Sequence, residues 1–296
     1  MIRIHEVAAR DGLQNEKTVL STETKLSLLE LLAASRPDSL EITSFVRPDL
    51  VPQLADAKEL CTRLREVPWR KDLPLVGLVM NMRGYESFRE SGLDAITAVI
   101  GAHEGFSKAN SGMTIEKAIA VNQEIAAAAK ADGFPIRMYL SMAFGSPKDG
   151  DTDLLTVLDL VAASMDMGVE RVLLSDTVGV GRVDQVETLV HAALDMMSAE
   201  QVGLHMHDTY GRALENCATA MDLGVRMFDA STGGTGGCPF APGAAGNLAT
   251  GALLALARDR GLAPDMDSAA LDSAAKLLSE QLGRPLAMGD APRPNV

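Results

Sequence analysis

The sequence lacks features that would place it in several large classes of protein. Its three cysteines, Cys61, Cys217 and Cys238, are odd in number and widely spaced, which argues against a disulfide framework and favours a reducing compartment. No apolar run reaches the roughly 18 residues that a membrane-spanning helix requires. Lysine and arginine number 27 against 40 aspartates and glutamates, and the resulting net charge of -13 argues against nucleic-acid or anionic-membrane partners.

What the chain does contain is typical of one globular domain. Hydrophobic residues make up 47% of its 296 residues and charged residues 23%, enough to bury a sizeable core. The first residues, Met1 to Val7, already have a strand pattern with no signal or transit peptide before them. We therefore expect a cytoplasmic protein in which residues 1–296 form a single domain.

Strand-like and helix-like segments alternate along the whole chain. The predicted strands are Ile2–Ala8, Ser39–Thr43, Leu75–Met80, Ala95–Ile100, Ile136–Met142, Arg171–Ser175, Gln201–Met206 and Arg226–Ala230. The predicted helices between them are Thr22–Ser35, Val51–Glu66, Gly84–Ser91, Thr114–Ala131, Asp153–Met167, Asp184–Ser198 and Tyr210–Asp222. Eight strands with intervening helices predict an α/β fold, the (β/α)8 TIM barrel. A doubly wound sheet also alternates, but no GxGxxG motif follows the first strand.

A glycine-rich loop, residues 233–247, follows the eighth predicted strand and carries Cys238. A helical extension, about residues 247–285, comes next, with helices predicted at Asn247–Arg260 and Ser268–Leu282. We interpret the loop as a cover for the active site, because the active sites of such barrels lie at the C-terminal ends of the strands.

Polar residues stand at six of these strand ends, although the strands themselves are apolar. They are Arg10, Asp11, Glu41, Ser44, Ser141, Asp176, Thr177, His205 and His207, with the glycine-rich loop after the eighth strand. Because the strand ends of a barrel meet on one face, we expect these side chains to lie close together.

His205 and His207, two positions apart on a strand, would point to the same face. With a carboxylate from Asp11 and an amide oxygen from Asn247 they make a mixed nitrogen and oxygen set that suits Mg²⁺ or Mn²⁺, with non-haem Fe(II) as the competing choice. Zinc is less favoured, because Cys238 lies in a glycine loop and not in a tetrahedral ligand pattern. The alternative interpretation is one histidine capping a strand and the other on the surface.

Three further residue types have both a chemical and a structural interpretation. Arg10 could stabilise an enolate or carboxylate oxygen, or form a salt bridge with Glu41 or Asp176. Cys238 could donate a proton or fill space. Lys17 and Lys108 could meet the phosphates of a long anionic substrate, although loop lysines are commonly only solvated.

Several motifs resemble those of one known family. Glu6–Lys17 is similar to the N-terminal signature of 3-hydroxy-3-methylglutaryl-CoA (HMG-CoA) lyases, with Ala8-Ala9 where that family usually has Gly-Pro. Further matches are Glu41–Val46, Ser175–Gly181, His205–Gly211 and Gly236–Gly243, so the resemblance spans roughly residues 2–250. Leu13–Glu16 and the cysteine loop favour the lyases over the related isopropylmalate and homocitrate synthases.

The resemblance implies a metal-dependent TIM-barrel lyase that cleaves HMG-CoA to acetyl-CoA and acetoacetate, with roles in leucine degradation and ketone body formation. It implies Mg²⁺ or Mn²⁺ as cofactor, an acyl-CoA as the small-molecule partner and a possible homodimer. The implied metal ligands are Asp11, His205, His207 and Asn247. The implied catalytic residues are Arg10, Cys238, Glu41, Asp176 and His205, with His205 or Asp11 as the base. The implied substrate contacts are Arg10, Gln14, Lys17, Asn110, Tyr139 and Thr177.

Other functions stay open from the sequence alone. Leu173 stands where some members of the family carry a serine, so citramalyl-CoA or a longer branched 3-hydroxyglutaryl-CoA are alternative substrates. A barrel with a decayed site, acting as a scaffold, belongs to another class, but six intact site residues argue against it. An iron oxygenase with two histidines and one carboxylate is a further rival.

Overall fold

Eight parallel strands close into a barrel in the computed structural model, which describes residues 1–236 and 246–287. Each strand pairs with the next along the chain, and β8 pairs with β1. The strands are β1 (Arg3–Glu6), β2 (Ser39–Ser44), β3 (Leu75–Leu78), β4 (Ala95–Gly101), β5 (Ile136–Ser141), β6 (Arg171–Asp176), β7 (Val202–Met206) and β8 (Met227–Ala230). The predicted (β/α)8 barrel is confirmed.

Helices surround the barrel and continue beyond β8. They are α1 (Thr22–Ala34), α2 (Ala57–Leu64), α3 (Met82–Arg89), α4 (Glu104–Ser111), α5 (Ile115–Asp132), α6 (Leu154–Asp166), α7 (Val183–Leu194), α8 (Ala213–Asp222), α9 (Thr250–Asp259) and α10 (Ser268–Leu282). The last of these, α10, packs against α1. Among the described residues, no helix combines the length and the apolarity that crossing a bilayer would take.

Helix boundaries follow local capping chemistry. The hydroxyl of Thr114 accepts a hydrogen bond from the backbone N–H of Lys117 at the start of α5, as is typical of an N-cap residue. Gly133 ends the same helix with a φ of 82°, in the left-handed region that glycine adopts without a steric penalty. Local residue chemistry therefore sets both ends of this helix.

The first predicted strand, Ile2–Ala8, is too long. Strand β1 ends at Glu6, and Ala8–Gly12 forms a π-helical turn instead. The turn forms because the Glu6 carboxylate accepts the backbone N–H of Ala8 at 2.9 Å, and the carbonyl of Val7 accepts that of Gly12 at 3.1 Å. Arg10 and Asp11 are thus presented from a tight turn at the mouth of the barrel.

Other elements also differ from expectation: the helix predicted at Val51–Glu66 is the shorter α2, Ala57–Leu64, and two further differences bear on the site. The prediction missed α4, which places Asn110 on a helix and not on a loop. The helix predicted to start at Asn247 starts at Thr250, because Asn247 pairs in an isolated antiparallel bridge with His207. That bridge fastens the chain after the glycine-rich loop to the end of β7.

The apolar core lies between the strands and the helices, whereas part of the barrel interior is polar. Arg137 and Asp229 form an ion pair across it, with 2.6 Å between Nη2 and Oδ1. Nearby, Nδ1 of His5 lies 2.6 Å from Oγ of Ser39. Buried polar groups of this kind need partners, and they lie directly below the site described next.

Candidate active site

Arg10 and Asp11 reach the site from the π-helical turn, whose position depends on close backbone packing. A Cβ at Gly12 would overlap Oγ1 of Thr235, and it would lie 2.7 Å from Oγ of Ser231. Only glycine therefore lets the turn pack against the chain that leaves β8. Gly12 thus serves to bring Asp11 towards β7 and β8.

Asp11, His205 and His207 form a compact group of potential metal ligands. One ligand atom from each lies within 4.8 Å of the other two. Oδ2 of Asp11 is 3.9 Å from Nε2 of His205 and 3.7 Å from Nε2 of His207. All three side chains are largely buried, with 17%, 7% and 8% of their surfaces exposed. This is a possible metal site made of two imidazoles and one carboxylate.

Asn247 lies against the same carboxylate. Its Nδ2 donates to Oδ2 of Asp11 at 2.7 Å and to the carbonyl of Thr235 at 3.1 Å. In this orientation the amide nitrogen, and not the oxygen, faces Asp11. A half-turn of the amide would put Oδ1 in the same position, which is the orientation that a metal ligand would need.

Arg10 is held in place by two carboxylates and an amide. Its Nε and Nη2 both donate to Oε2 of Glu41, at 2.8 and 2.6 Å, and Nη1 donates to Oδ1 of Asp11 at 2.5 Å. Nη1 also lies 3.5 Å from Oε1 of Gln14. Burial alone would lower the pKa of Arg10, but Glu41 and Asp11 raise it overall. The guanidinium is therefore a fixed positive charge at the edge of the possible metal site.

Tyr139 lines the wall beside these groups. Its ring centre lies 5.1 Å from that of His205 and 6.0 Å from Cζ of Arg10. Within the described part of the chain, the buried Tyr139 hydroxyl has no hydrogen-bond partner, and neither do Oε1 of Glu41 and Nδ1 of His207. Buried polar atoms left without protein partners next to a possible metal site are available to a ligand or water.

The side chains of Asp176 and Thr177 accept hydrogen bonds from backbone N–H groups. The carboxylate of Asp176 accepts the backbone N–H groups of Val180 and Gly181 at 3.0 and 2.8 Å. The hydroxyl of Thr177 accepts that of Met142 at 2.9 Å. Asp176 does not pair with Arg10, so of the two salt bridges expected for Arg10 the structure contains the one to Glu41.

Three residues predicted to meet the substrate are exposed, and one predicted catalytic residue lies outside the described residues. Lys17 is exposed, and Asn110 is exposed on α4. Lys108, on the same helix, pairs with Glu104 at 3.3 Å. Cys238 lies outside the described residues, as does most of the loop that carries it.

Sequence reasoning missed Arg137 and Asp229, although Asp229 contacts a predicted ligand. Oδ2 of Asp229 lies 3.2 Å from Nδ1 of His205. The signal was available, because each is a charged residue within an apolar strand. In addition, Arg137 stands two positions before Tyr139, which places both side chains on the same face of β5.

The fold and the site define a class of protein, a TIM barrel with a possible divalent-metal centre beside a buried arginine. The family model described as HMGL-like matches residues 1–278. The chain therefore belongs to the HMGL-like family, and it is a lyase.

Curated relatives match nearly the whole chain. The hydroxymethylglutaryl-CoA lyase of Bacillus subtilis is 35% identical over 96% of this chain and 94% of its own length. The mitochondrial hydroxymethylglutaryl-CoA lyase of Arabidopsis thaliana is 36% identical over 96% of this chain, which spans 60% of that relative's length. The (R)-citramalyl-CoA lyase of Chloroflexus aurantiacus is 36% identical over 96% of this chain and 92% of its own.

Solved structures agree with this relationship. The HMG-CoA lyase from Brucella melitensis is 39% identical, with a TM-score of 0.91 over 95% of this chain and 99% of its own. An HMG-CoA lyase from Acinetobacter baumannii, in complex with coenzyme A and 3-methylmalate, is 33% identical, with a TM-score of 0.91 over 97% of this chain and 92% of its own.

Proposed function

We propose that this chain cleaves HMG-CoA to acetyl-CoA and acetoacetate by retro-Claisen chemistry. The observation that carries the proposal is the position of Arg10, fixed by Glu41, directly against Asp11 and beside the two histidines. Relatives that match nearly the full chain are named for this activity. The arrangement combines a possible site for an electrophilic ion with a permanent positive charge, both of which an enolate-forming cleavage needs.

Mg²⁺ or Mn²⁺ is the cofactor that we propose for Asp11, His205, His207 and Asn247. The donor set fits, because it offers oxygen and imidazole nitrogen and because Nδ1 of His205 is held while Nε2 lies on the side of Asp11. When bound, such an ion polarises the oxygens of the substrate and makes its hydroxyl more acidic.

Arg10 is the residue that we propose to neutralise the negative charge on the thioester oxygen as the carbon–carbon bond breaks. Glu41 holds Nε and Nη2 through one carboxylate oxygen, so the guanidinium is oriented before substrate arrives and does not need to reorganise. The proposed base that takes the hydroxyl proton is His205 or Asp11; for His205 this requires Nε2 to be free of the ion in that step, because Nδ1 faces Asp229. Asp176 supports the site by holding the backbone at Val180 and Gly181.

Cys238 is proposed as the acid that protonates the enolate carbon. Support comes from the described ends of its loop, because both lie at the site. A Cβ at Gly236 would lie 2.6 Å from Nδ2 of Asn247 and 3.2 Å from the carbonyl of Asp11. The backbone N–H of Asp208 donates to the carbonyl of Gly246 at 2.7 Å. A thiol on this loop needs little reach to deliver a proton to the substrate.

The substrate contacts proposed are Arg10, Gln14, Lys17, Asn110, Tyr139 and Thr177. Gln14 and Tyr139 lie next to Arg10 and suit the acyl end. Lys17 and Asn110 are exposed and suit the coenzyme A end, and the structure of the related Acinetobacter enzyme is a complex with coenzyme A. Thr177 is nearer the acyl end, at the end of β6.

Citramalyl-CoA is a second candidate substrate, because a relative of similar identity is named (R)-citramalyl-CoA lyase. Leu173 lies beside Tyr139 in the register of β5 and β6 and is fully buried. Some family members carry a serine at this position, and an apolar side chain here favours a different acyl group. A longer branched 3-hydroxyglutaryl-CoA is an alternative substrate for the same reason.

A cytoplasmic location and a homodimer complete the proposal. Cys61 and Cys217 are buried and unpaired within the described part of the chain, as suits a reducing compartment. The homodimer, and roles in leucine degradation and ketone body formation, follow from the family resemblance.

The test is turnover of a panel of 3-hydroxyacyl-CoA thioesters with added Mg²⁺ or Mn²⁺. We expect the highest kcat/KM with HMG-CoA, and loss of activity together with metal affinity in His207→Ala. Fastest turnover of citramalyl-CoA would favour the second candidate. Metal binding without turnover of any thioester would favour a scaffold, and a requirement for O₂ would favour an iron oxygenase.

A further inference from the structure

A buried carboxylate below the possible metal site contacts one of the two histidines. Asp229 lies on β8, and its side chain is fully buried. Oδ2 is 3.2 Å from Nδ1 of His205, and Oδ1 is 2.6 Å from Nη2 of Arg137. Arg137 comes from β5, on another side of the barrel. Asp229 is thus held between a cation and an imidazole.

The chemistry of the two partners sets the direction of both hydrogen bonds. An ionised carboxylate only accepts, and a guanidinium only donates. Nδ1 of His205 therefore carries a proton and donates it to Asp229. In neutral imidazole this leaves the lone pair on Nε2, and Nε2 lies on the side of Asp11, 3.9 Å from its Oδ2.

We propose that Asp229 is a positioning residue that fixes the ligand tautomer of His205, and that Arg137 holds Asp229 in its acceptor role. This inference rests on the metal centre proposed above. The ring of Tyr139 packs on His205 with 5.1 Å between centres and limits its rotation from another side. Outer partners of this kind orient metal-ligating histidines and raise their basicity.

His207 provides the contrast within the same site. Its Nδ1 is buried and has no hydrogen-bond partner among residues 1–236 and 246–287. One ligand histidine is therefore held by a buried charged pair and the other is not. Of the two ligand histidines, His205 is the one that a change at Asp229 should affect through a direct hydrogen bond.

The decisive variant is Asp229→Asn, because Arg137 forces its amide into one orientation. The amide oxygen must face the donor-only guanidinium, so the amide NH₂ faces Nδ1 of His205. Nδ1 then has to accept, the ring proton moves to Nε2, and an N–H points to where the metal would bind. We expect Mn²⁺ affinity to fall by roughly 10- to 100-fold.

The double variant Arg137→Met with Asp229→Asn removes that constraint. The amide can then turn its oxygen to His205 and restore the proton on Nδ1, so we expect it to recover most of the lost affinity. Glu6→Gln is the matched control, since it also converts a fully buried carboxylate to an amide. The Glu6 side chain accepts hydrogen bonds from Ala8, Thr232 and Thr250, with neither ligand histidine among these partners, and the Glu6→Gln variant should bind Mn²⁺ within about twofold of the wild type.

Two measurements decide the question, and neither needs lyase activity. Calorimetry with Mn²⁺ gives the affinities, and imidazole ¹⁵N spectra of the metal-free proteins, at a pH where the ring is neutral, give the tautomers. The chain has only five histidines, and the His205 signals are those absent from His205→Gln. The wild type should show the proton on Nδ1 and Asp229→Asn should show it on Nε2.

The inference is overturned if Asp229→Asn binds Mn²⁺ as tightly as Glu6→Gln does, or if the double variant binds no better than Asp229→Asn. Should Asp229→Asn fail to fold, the wild-type spectrum alone decides, because a proton on Nε2 of His205 would contradict it. A wild type that cleaves no thioester but shows these affinities and tautomers would refute the proposed function and leave this inference standing.

Discussion

Two buried glutamates, Glu6 and Glu41, show how differently this barrel uses the same side chain. Oε1 of Glu6 accepts the backbone N–H groups of Ala8 and Thr232, both at 2.9 Å. Its Oε2 accepts the hydroxyls of Thr232 and Thr250 at 2.8 and 2.6 Å. In Glu41, by contrast, Oε2 accepts from Arg10, and Oε1 has no hydrogen-bond partner among the described residues.

The two carboxylates therefore differ in the charge of their partners and in how completely their oxygens are hydrogen-bonded. Neutral donors surround Glu6, so burial outweighs its hydrogen bonds and raises its pKa. Glu41 is matched by the full positive charge of Arg10, and its Oε1 is buried without a partner among the described residues. The carboxylate of Glu6 joins three segments of chain through neutral donors, whereas that of Glu41 orients a cation and leaves one oxygen without a partner among the described residues.

The largest expected effect comes from replacing Arg10, the cation that pairs with Glu41. Arg10→Lys keeps the charge but loses the planar fork that serves Glu41 and Asp11 at once. We expect kcat to fall by roughly 10²- to 10³-fold with KM changed little, as when a transition-state contact is lost. Steady-state kinetics with HMG-CoA measure this. A change confined to KM would mean that Arg10 only binds the substrate.

Cys238 is relevant to the same comparison, because its loop begins and ends near Thr232 and Thr250, whose hydroxyls donate to Glu6. A serine is a much poorer acid than a thiol, so Cys238→Ser should lower kcat by roughly 10²-fold or more and leave metal affinity near normal. Its thiol should react with small alkylating agents in the free enzyme and be shielded by a substrate analogue plus metal.

Cys61 and Cys217 provide the internal control for that experiment. Both are buried, and burial raises the pKa of Cys61 to about 12, so neither should show ligand-dependent protection. Full activity of Cys238→Ser, with a Cys238 thiol that resists alkylation, would assign the proton to another group.

Matched amides at the two glutamates should give unequal results. Glu41→Gln replaces the anion that orients Arg10, and we expect kcat to fall by roughly 10- to 100-fold. Glu6→Gln leaves every site residue in contact with its present partners, so its kcat should stay within about threefold of the wild type. Equal losses in both variants would show that the distinction between the two carboxylates is wrong.

The smallest effect concerns stability and pH. Burial raises the pKa of Glu6 in the folded protein, so its carboxyl ionises less readily there than in the unfolded chain. The contribution of Glu6 to the free energy of unfolding therefore falls as the pH rises above the ordinary pKa of a glutamate. Glu6→Gln has no such proton. The melting temperature of Glu6→Gln minus that of the wild type should increase by roughly 2 °C or more between pH 5 and pH 8. A constant difference would contradict the pKa shift.

Periodicity and spacing were sufficient to predict the barrel, its strand order and the sequence segments that meet at its mouth. They could not predict the π-helical turn, because that turn depends on Glu6 accepting the N–H of Ala8 and on the glycine contact between Gly12 and Thr235. Both are contacts between atoms that only the folded chain brings together.

The histidine pair was recognisable because two residues at the end of one strand share a face. Asp229, the partner of His205, lies on the next strand, β8, and Arg137 lies on β5, three strands from Asp229. No local pattern relates these residues. A single charged residue in a buried strand is nevertheless a readable signal, since burying it requires a partner inside the barrel.

The two described ends of the glycine-rich loop lie next to each other, so the segment between them forms a closed loop on the barrel. Ser231 bonds to Leu248 through its N–H at 2.9 Å, and His207 and Asn247 pair in a bridge. A Cβ at Gly246 would overlap the carbonyl oxygen of Gly236. For a ring whose ends already touch, doubling the number of residues costs only about 0.6 kcal/mol of closure entropy. Insertions between Gly236 and Gly246 should therefore cost the barrel little stability, so the length of this segment can vary during evolution while the residues on either side of it stay in place.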